Sequence, residues 1–442
     1  MDLKRKLSRL RATRPAAQPA ERDPLAEKDP VAEERDPVAE RVRARLQSRR
    51  AKEPATAAQP VVARDSAEVD FVSDEGCLTA RASFALSHAH GAVPLGGALG
   101  ATGRVAALLA LDPSLANFDP RRALFVDTET TGLAGGSGTL PFLVGMGWFE
   151  DDRFVVTQHL VTEPGNEAPV LARLAARVEA SETLVSFNGK TFDLPLLRAR
   201  FVLARMPALP ERPHLDLLHV ARRIYKARVE QCRLGVLERD VLGFAREDDV
   251  ASADVPALYQ RFLRDGRIAP MRAVARHNVW DIAALAALVG ELCARAEGAS
   301  SEGRFEPEDL LGVARTTWRA GDHRRALALA DALAAHPAQD PSLARDAHLL
   351  AAAAHRGRND PASRAARLRE ALAITPDDAA LHLDLARCYE RELDDPVSAL
   401  PHAERAHGAE PAGALARRIA RLKKRARDAR AAQAQLRLPG IG

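Results

Sequence analysis

Two carboxylates stand two residues apart at the end of a short apolar run, in Ala123-Leu-Phe-Val-Asp-Thr-Glu-Thr-Thr-Gly132. On a strand, side chains alternate between faces, so Asp127 and Glu129 point to the same side. Like charges that close repel each other, and a divalent metal ion between them is the usual remedy for oxygen ligands. Three further segments carry polar residues that an isolated helix or strand does not need. Ser186-Phe-Asn-Gly-Lys-Thr-Phe-Asp193 follows an apolar stretch; Asn188-Gly189 makes a tight turn, and Asp193 falls near a helix start. Taken alone, Asp193 reads equally as a helix cap. His214-Leu-Asp216 sets another carboxylate at what reads as a strand end. In Arg276-His-Asn-Val-Trp-Asp-Ile-Ala-Ala-Leu285, His277 and Asp281 are four apart and share a helical face, where a surface ion pair also accounts for them.

The elements that must position these groups read as α/β. Ala123–Asp127 is a strand by its apolar run, and Leu140–Phe149 and Arg153–Val161 are two more. The acidic turn Glu150-Asp151-Asp152 between the latter two predicts an antiparallel hairpin. Residues 167–179 have helical spacing through Val170, Leu171, Leu174 and Val178; Thr183–Phe187 is a short buried strand, and a helix follows from about Leu194. Three strands, a helix, a strand and a helix imply a mixed sheet with helices packed on it.

Around this core lie three other textures. Residues 1–65 are charged and rich in Ala and Pro, with Asp-Pro at Asp23-Pro24, Asp29-Pro30 and Asp36-Pro37, and are expected to be a disordered arm. Residues 66–120 are apolar enough for an ordered lead-in, punctuated by Gly91-Ala-Val-Pro-Leu-Gly-Gly97; His88 and His90 here read as loop histidines or as metal ligands. Past about residue 300, helix formers dominate. His336-Pro337, Thr375-Pro376 and Glu410-Pro411 end three helical segments, 39 and 35 residues apart by subtraction of the proline numbers, so residues 305–430 resemble tetratricopeptide repeats or form a small helical bundle.

Composition excludes several classes. The chain has 442 residues, of which 28% are charged and 46% hydrophobic, with no apolar run of the roughly 18 residues a membrane span needs. The start, Met1-Asp-Leu-Lys-Arg-Lys, has charges without an apolar segment behind them, unlike a secretory signal. Cys77, Cys232, Cys293 and Cys388 are scattered without a Cys-x-x-Cys pair, which fits a reducing, cytoplasmic setting. Net charge is +4. Its distribution matters more than its sum: Arg222-Arg-Ile-Tyr-Lys-Ala-Arg228 with Arg233 places five cations and one Tyr within twelve residues, suited to phosphate contact and base stacking or to a solvated helix face. Arg417-Arg-Ile-Ala-Arg-Leu-Lys-Lys-Arg425 is also basic and reads first as a solvated terminal helix.

The motifs taken together are more specific than any one of them. Asp127-Thr-Glu-Thr-Thr-Gly132, Asn188-Gly-Lys-Thr-Phe-Asp193 and His277-Asn-Val-Trp-Asp281 occur in that order. They resemble the three motifs of the DEDD superfamily of 3′–5′ exonucleases, which have a ribonuclease H-like fold, and within it the bacterial ribonuclease H-like proteins of the YprB type, with a helical-repeat C-terminus. The resemblance covers about residues 121–297. It implies metal-dependent hydrolysis of phosphodiester bonds at single-stranded DNA or RNA ends. Asp127, Glu129, Asp193 and Asp281 would be the metal-binding carboxylates for two Mg²⁺ or Mn²⁺ ions. His277 would be the fifth catalytic residue. Thr130, Asn188, Lys190, Arg222, Arg223 and Lys226 are the candidate substrate contacts. One departure is visible: members with a histidine in the third motif usually place it five residues before the aspartate, whereas His277 precedes Asp281 by four, where other members carry tyrosine. Three functions therefore stand side by side: an exonuclease, a non-catalytic nucleic-acid-binding module whose helical repeats recruit a protein partner, and a structure-specific endonuclease or other metal hydrolase on the same fold.

Overall fold

A computed structural model describes residues 36–49, 61–62, 69–132, 138–298, 306–335 and 340–436. Its centre is a seven-stranded sheet. The strands are β1 (Val72–Asp74), β2 (Cys77–Ala85), β3 (Ala123–Thr130), β4 (Pro141–Glu150), β5 (Arg153–Leu160), β6 (Thr183–Ser186) and β7 (His214–Asp216), in the spatial order β7-β6-β3-β4-β5-β2-β1. The pairs from β3 through β4, β5 and β2 to β1 are antiparallel, whereas β6 and β7 run parallel to β3. The sheet is therefore mixed, as expected. The hairpin between β4 and β5 turns at Asp151, whose φ is 51°.

Helices α2 (Gly103–Ala110), α3 (Ala168–Glu179), α4 (Asp193–Leu203), α5 (Leu217–Tyr225), α6 (Val255–Asp265) and α7 (Ala269–Ala296) surround the sheet. The alternation of β3 divides two cores. Leu124 and Val126 pack with Val170, Leu174, Leu197 and Phe201 of α3 and α4, while Phe125 packs with residues of α5, α6 and α7. Helix α7 is buried almost all round, as a helix crossing the middle of a domain must be. It lies close to β4 because that strand carries glycine where they meet: a Cβ on Gly145 would stand 2.0 Å from Oδ1 of Asn278, and one on Gly147 would stand 2.5 Å from Ile282.

Two parts of the chain differ from the expectation. Strands β1 and β2, from the stretch expected only as a lead-in, extend the main sheet; β2 pairs with β5 over eight residues. Residues 37–49, inside the expected disordered arm, form α1 (Pro37–Arg49), with Val38 and Val42 buried. Here Asp36-Pro37 starts a helix rather than breaking one. Asp36 Oδ1 accepts from the Val38 amide at 2.9 Å, and proline is tolerated in the first turn, where its missing N–H has no intrahelical partner to lose. The rest of that arm, residues 1–35, 50–60 and 63–65, lies outside the described residues.

Beyond α7 come α8 (Pro307–Arg319), α9 (His323–Ala334), α10 (Pro341–Gly357), α11 (Pro361–Ile374), α12 (Ala379–Arg391), α13 (Pro396–Glu404) and α14 (Ala412–Leu436), each packed on the next. Asp322, Asp340, Asp360, Asp378 and Asp395 cap the starts of α9 to α13 by accepting from backbone amides. His336-Pro337, one of the three repeat markers, lies outside the described residues. The basic stretch of α14 is ion-paired within the array: Arg418 and Arg421 with Glu390, Lys423 with Glu404 and Arg425 with Asp394. The four cysteines form no disulfide, and among the described residues no helix is long and apolar enough to cross a membrane.

Candidate metal and catalytic centre

Asp127 and Glu129 continue the face of β3 that carries Phe125, and both look toward α7. The row Asp127, Gly145, Gln158 runs straight across β3, β4 and β5. Asn278 lies over the gap that Gly145 leaves. Its Nδ2 donates to Asp127 Oδ2 at 2.7 Å, and its Oδ1 accepts from Gln158 Nε2 at 2.8 Å. The carboxylate of Asp127 is thus held by an amide that is itself held by an amide. Asn278 adjoins His277 in sequence, but its side chain serves Asp127.

The neighbouring His277 and, about one turn further along α7, Asp281 join Glu129 of β3. Glu129, His277 and Asp281 offer ligand atoms that all lie within 4.8 Å of one another. His277 Nε2 is 3.5 Å from Asp281 Oδ2, so the pair spaced four apart does share a face, with His277 buried and Asp281 half-buried rather than solvated. Asp193 reaches the centre differently. It opens α4 on the opposite side of β3, and Thr128, whose side chain points that way, donates Oγ1–H to Asp193 Oδ1 at 2.5 Å. The cap interpretation of Asp193 does not hold: the residue preceding α4 is Phe192, and Asp193 is buried.

The electrostatics report crowding of negative charge. Burial, then the carboxylates of Asp281, Asp193 and Glu129, hold the Asp127 pKa well above the ordinary carboxylate range, with the Asn278 hydrogen bond opposing. Burial and Asp281 push Glu129 up to about 7, and burial pushes Asp193 up to about 6 against the Thr128 hydrogen bond. Groups in this state gain most from a cation that cancels the repulsion. The donors fit such an ion: carboxylate oxygens suit Mg²⁺ and Mn²⁺, and an imidazole adds a nitrogen that Mn²⁺ accepts more readily.

A cation from the chain is already present. Arg246, in the segment after the short strand Phe244–Ala245, lies 2.5 Å from Asp281 Oδ1, 2.7 Å from Glu238 Oε2 and 3.2 Å from Asp249 Oδ2, with its guanidinium 5.7 Å from the Trp280 ring centre. Glu238 pairs in turn with His90 at 2.7 Å; both are buried, and His90 stacks on Phe244 at 3.8 Å. His88 and His90 therefore do not form a metal pair; His90 supports the arginine's counter-ion. Asp249 sits 2.8 Å from His277 Nδ1. Burial pulls the His277 pKa down, but the Asp249 hydrogen bond and the Asp281 charge outweigh it and bring it to about 9. Arg246, Asp249 and Gln158 were not anticipated from the sequence. Arg246-Glu-Asp-Asp249 has no pattern beyond that of a charged surface turn.

The candidate substrate contacts lie elsewhere. Thr130 is buried and donates to Gly132 O at 2.8 Å. Asn188, with φ of 69°, and Lys190 form the turn above Asp216, which accepts both their backbone amides at 2.8 and 3.0 Å. Asp216 is thus a structural clamp, and it also caps α5. The Lys190 ammonium is 3.5 Å from Asp112. On α5, Arg223 donates to Leu109 O at 3.1 Å, while Arg222 and Lys226 are exposed. Tyr225 is fully buried, so it offers no face to a base, and Arg228 is paired with Asp309 of α8 at 2.8 Å.

Comparison with known proteins agrees with this geometry. Residues 124–293 match the family model of the RNase H superfamily. The central domain is an RNase H-like α/β domain with a mixed sheet, followed by a helical C-terminal region, and a domain of this class suggests a nuclease acting on nucleic acid. The protein YprB of Bacillus subtilis (strain 168) is 36% identical over 222 residues, which are 49% of this chain and 52% of YprB. The chain thus spans about half the length of that relative.

Proposed function

We propose that this protein is a 3′–5′ exonuclease that hydrolyses phosphodiester bonds at single-stranded nucleic-acid ends with two divalent ions, Mg²⁺ or Mn²⁺. The observation that carries the reading is the meeting of Glu129, His277 and Asp281 beside Asp127, at the end of β3, an inner strand of an RNase H-like sheet. Glu129 and Asp281 would hold cations directly. Asp127, kept in place by Asn278, and Asp193, kept by Thr128, would complete the acidic set from the two sides of β3. Divalent ions bound there supply a hydroxide nucleophile near neutral pH and neutralise charge on the phosphoryl oxygens. His277 presents Nε2 to the same space; with bound cations offsetting the Asp281 and Glu129 charges that otherwise help to keep its ring protonated, it would orient or deprotonate the attacking water. Arg222 and Lys226 are free to meet the phosphate backbone. The helical array is proposed as a tetratricopeptide-like platform for a protein partner.

One observation favours a second reading, a non-catalytic nucleic-acid-binding module: Arg246 already serves as counter-ion to Asp281. Linear and circular single-stranded oligonucleotides of DNA and RNA, incubated with Mg²⁺ or Mn²⁺, separate the readings. The exonuclease releases mononucleotides from linear strands and leaves circles intact. Cleaved circles would replace it with an endonuclease. Binding without cleavage, insensitive to Asp281→Asn, would establish the module.

A further inference from the structure

We propose that Asp249 is a positioning residue for His277: it holds the proton on Nδ1 and thereby turns Nε2 toward Glu129 and Asp281. Its catalytic consequence rests on the proposed nuclease reading, whereas its geometry does not.

Both Asp249 oxygens lie 2.8 Å from His277 Nδ1, while the Arg246 guanidinium lies 3.2 Å from the same atom. These contacts compete for one nitrogen. A guanidinium only donates, so a bond from Arg246 needs a bare Nδ1; a carboxylate only accepts, so Asp249 needs Nδ1–H. The two shorter, charge-assisted contacts to the carboxylate decide for Nδ1–H. Asp249 is itself fixed. Its Oδ1 accepts from the Val250 amide at 2.8 Å, and Arg246 pairs with its Oδ2 at 3.2 Å. The loop is tied back to α7 by Arg276, which donates to Asp248 O at 2.7 Å.

With Nδ1 committed outward, Nε2 is the ring atom left for the acidic centre. A histidine one helical turn before Asp281 shares its face, and without an outside partner the ring has no reason to hold one rotamer. Asp249 supplies that partner from a loop, so the unusual register still delivers a defined imidazole nitrogen to the site. Partners of this kind, behind a ligand or base histidine, fix its tautomer and orientation, and their loss typically costs about 10–100-fold.

The test is ring-nitrogen NMR of ¹⁵N-histidine-labelled, metal-free full-length protein at about pH 10.5, above the His277 pKa of about 9, so that the ring is neutral and its tautomer can be read, with His277→Gln to assign the signal. Wild type is expected to carry a proton on His277 Nδ1. Asp249→Ala and the isosteric Asp249→Leu are expected to shift His277 to the Nε2–H tautomer, and Asp249→Asn, which keeps an acceptor oxygen, to restore Nδ1–H. Unchanged His277 signals in a folded Ala or Leu variant would overturn the proposal. In a nuclease assay, Asp249→Ala is expected to cost about 10–100-fold and to add nothing to His277→Ala; additive losses would also overturn it. Should no cation support cleavage, the nuclease reading fails while the NMR result still decides the role of Asp249.

Discussion

Arg246 is the residue on which the centre balances. It is nearly buried, and it stands among Glu238, Asp249 and Asp281. Removing a buried partner from such a network leaves charges uncompensated, a change that costs about 3–5 kcal/mol. Arg246→Ala is therefore expected to lower stability by that order in urea unfolding. Because it strips Asp281 of its counter-ion, Mn²⁺ should raise the melting temperature of the variant more than that of wild type; equal shifts would mean that Asp281 does not meet the metal. Asp127, Glu129, His277 and Asp281 could be found beforehand because each lies beside a local signal, a strand end or a helical spacing. Arg246, Asp249 and Gln158 could not, since their roles arise only when a loop and a sheet row are brought against α7. Register alone also misdirects: Asn278 adjoins His277 in sequence, yet points to Asp127.

At the scale of elements, β3 to β6, α3, the start of α4 and the middle of α7 followed from their patterning, down to the β4–β5 hairpin, whereas α2 and α6 did not. The two strands β1 and β2 were not recognised, because β2 is half exposed and carries Arg, Ser and Thr among short apolar residues. Its place is set by pairing with β5, which includes Thr79 opposite His159, bonded through Oγ1 and Nδ1 at 3.0 Å. Burial pulls the imidazole of His159 down to about 4. In the unfolded chain its pKa is about 6.5. Between those values the unfolded state binds the extra proton, so this contribution to stability is present above about pH 6.5 and is lost as pH falls toward 4. Asp193 and Glu129, whose pKa values are raised, act in the opposite direction, so the readout must be a difference. The stability of wild type relative to His159→Gln is expected to fall by up to about 1.4 kcal/mol per pH unit over that window. A difference independent of pH, measured by urea unfolding at several pH values, would contradict the assignment.

For the molecule as a whole, the helical array joins the RNase H-like domain through a shared apolar core, in which Leu310, Leu311 and Val313 of α8 cluster with Val220 and Ile224 of α5, and through a buried charge cluster. Asp309 of α8 is fully buried between Arg228 and Arg295, at 2.8 and 2.9 Å, with Tyr225 packed beside the two cations. The basic segment that invited a nucleic-acid reading is thus partly spent on this junction. Asp309→Ala would leave Arg228 without its acid and Arg295 with Glu291 as its remaining acid, and is expected to destabilise by about 3–5 kcal/mol, with the array melting before the domain in calorimetry. A single unchanged transition would show that the junction is not what couples them. The central claim concerns the acidic centre, where Asp127 and its neighbours face α7. Its most direct test is the metal-dependent release of mononucleotides from a 3′-labelled single-stranded oligonucleotide by wild type and by Asp127→Asn. Wild type is expected to release mononucleotides with Mg²⁺ or Mn²⁺ and none with chelator, and the variant to lose at least about 10²-fold. No release by wild type under any divalent cation, or equal release by Asp127→Asn, would contradict that claim.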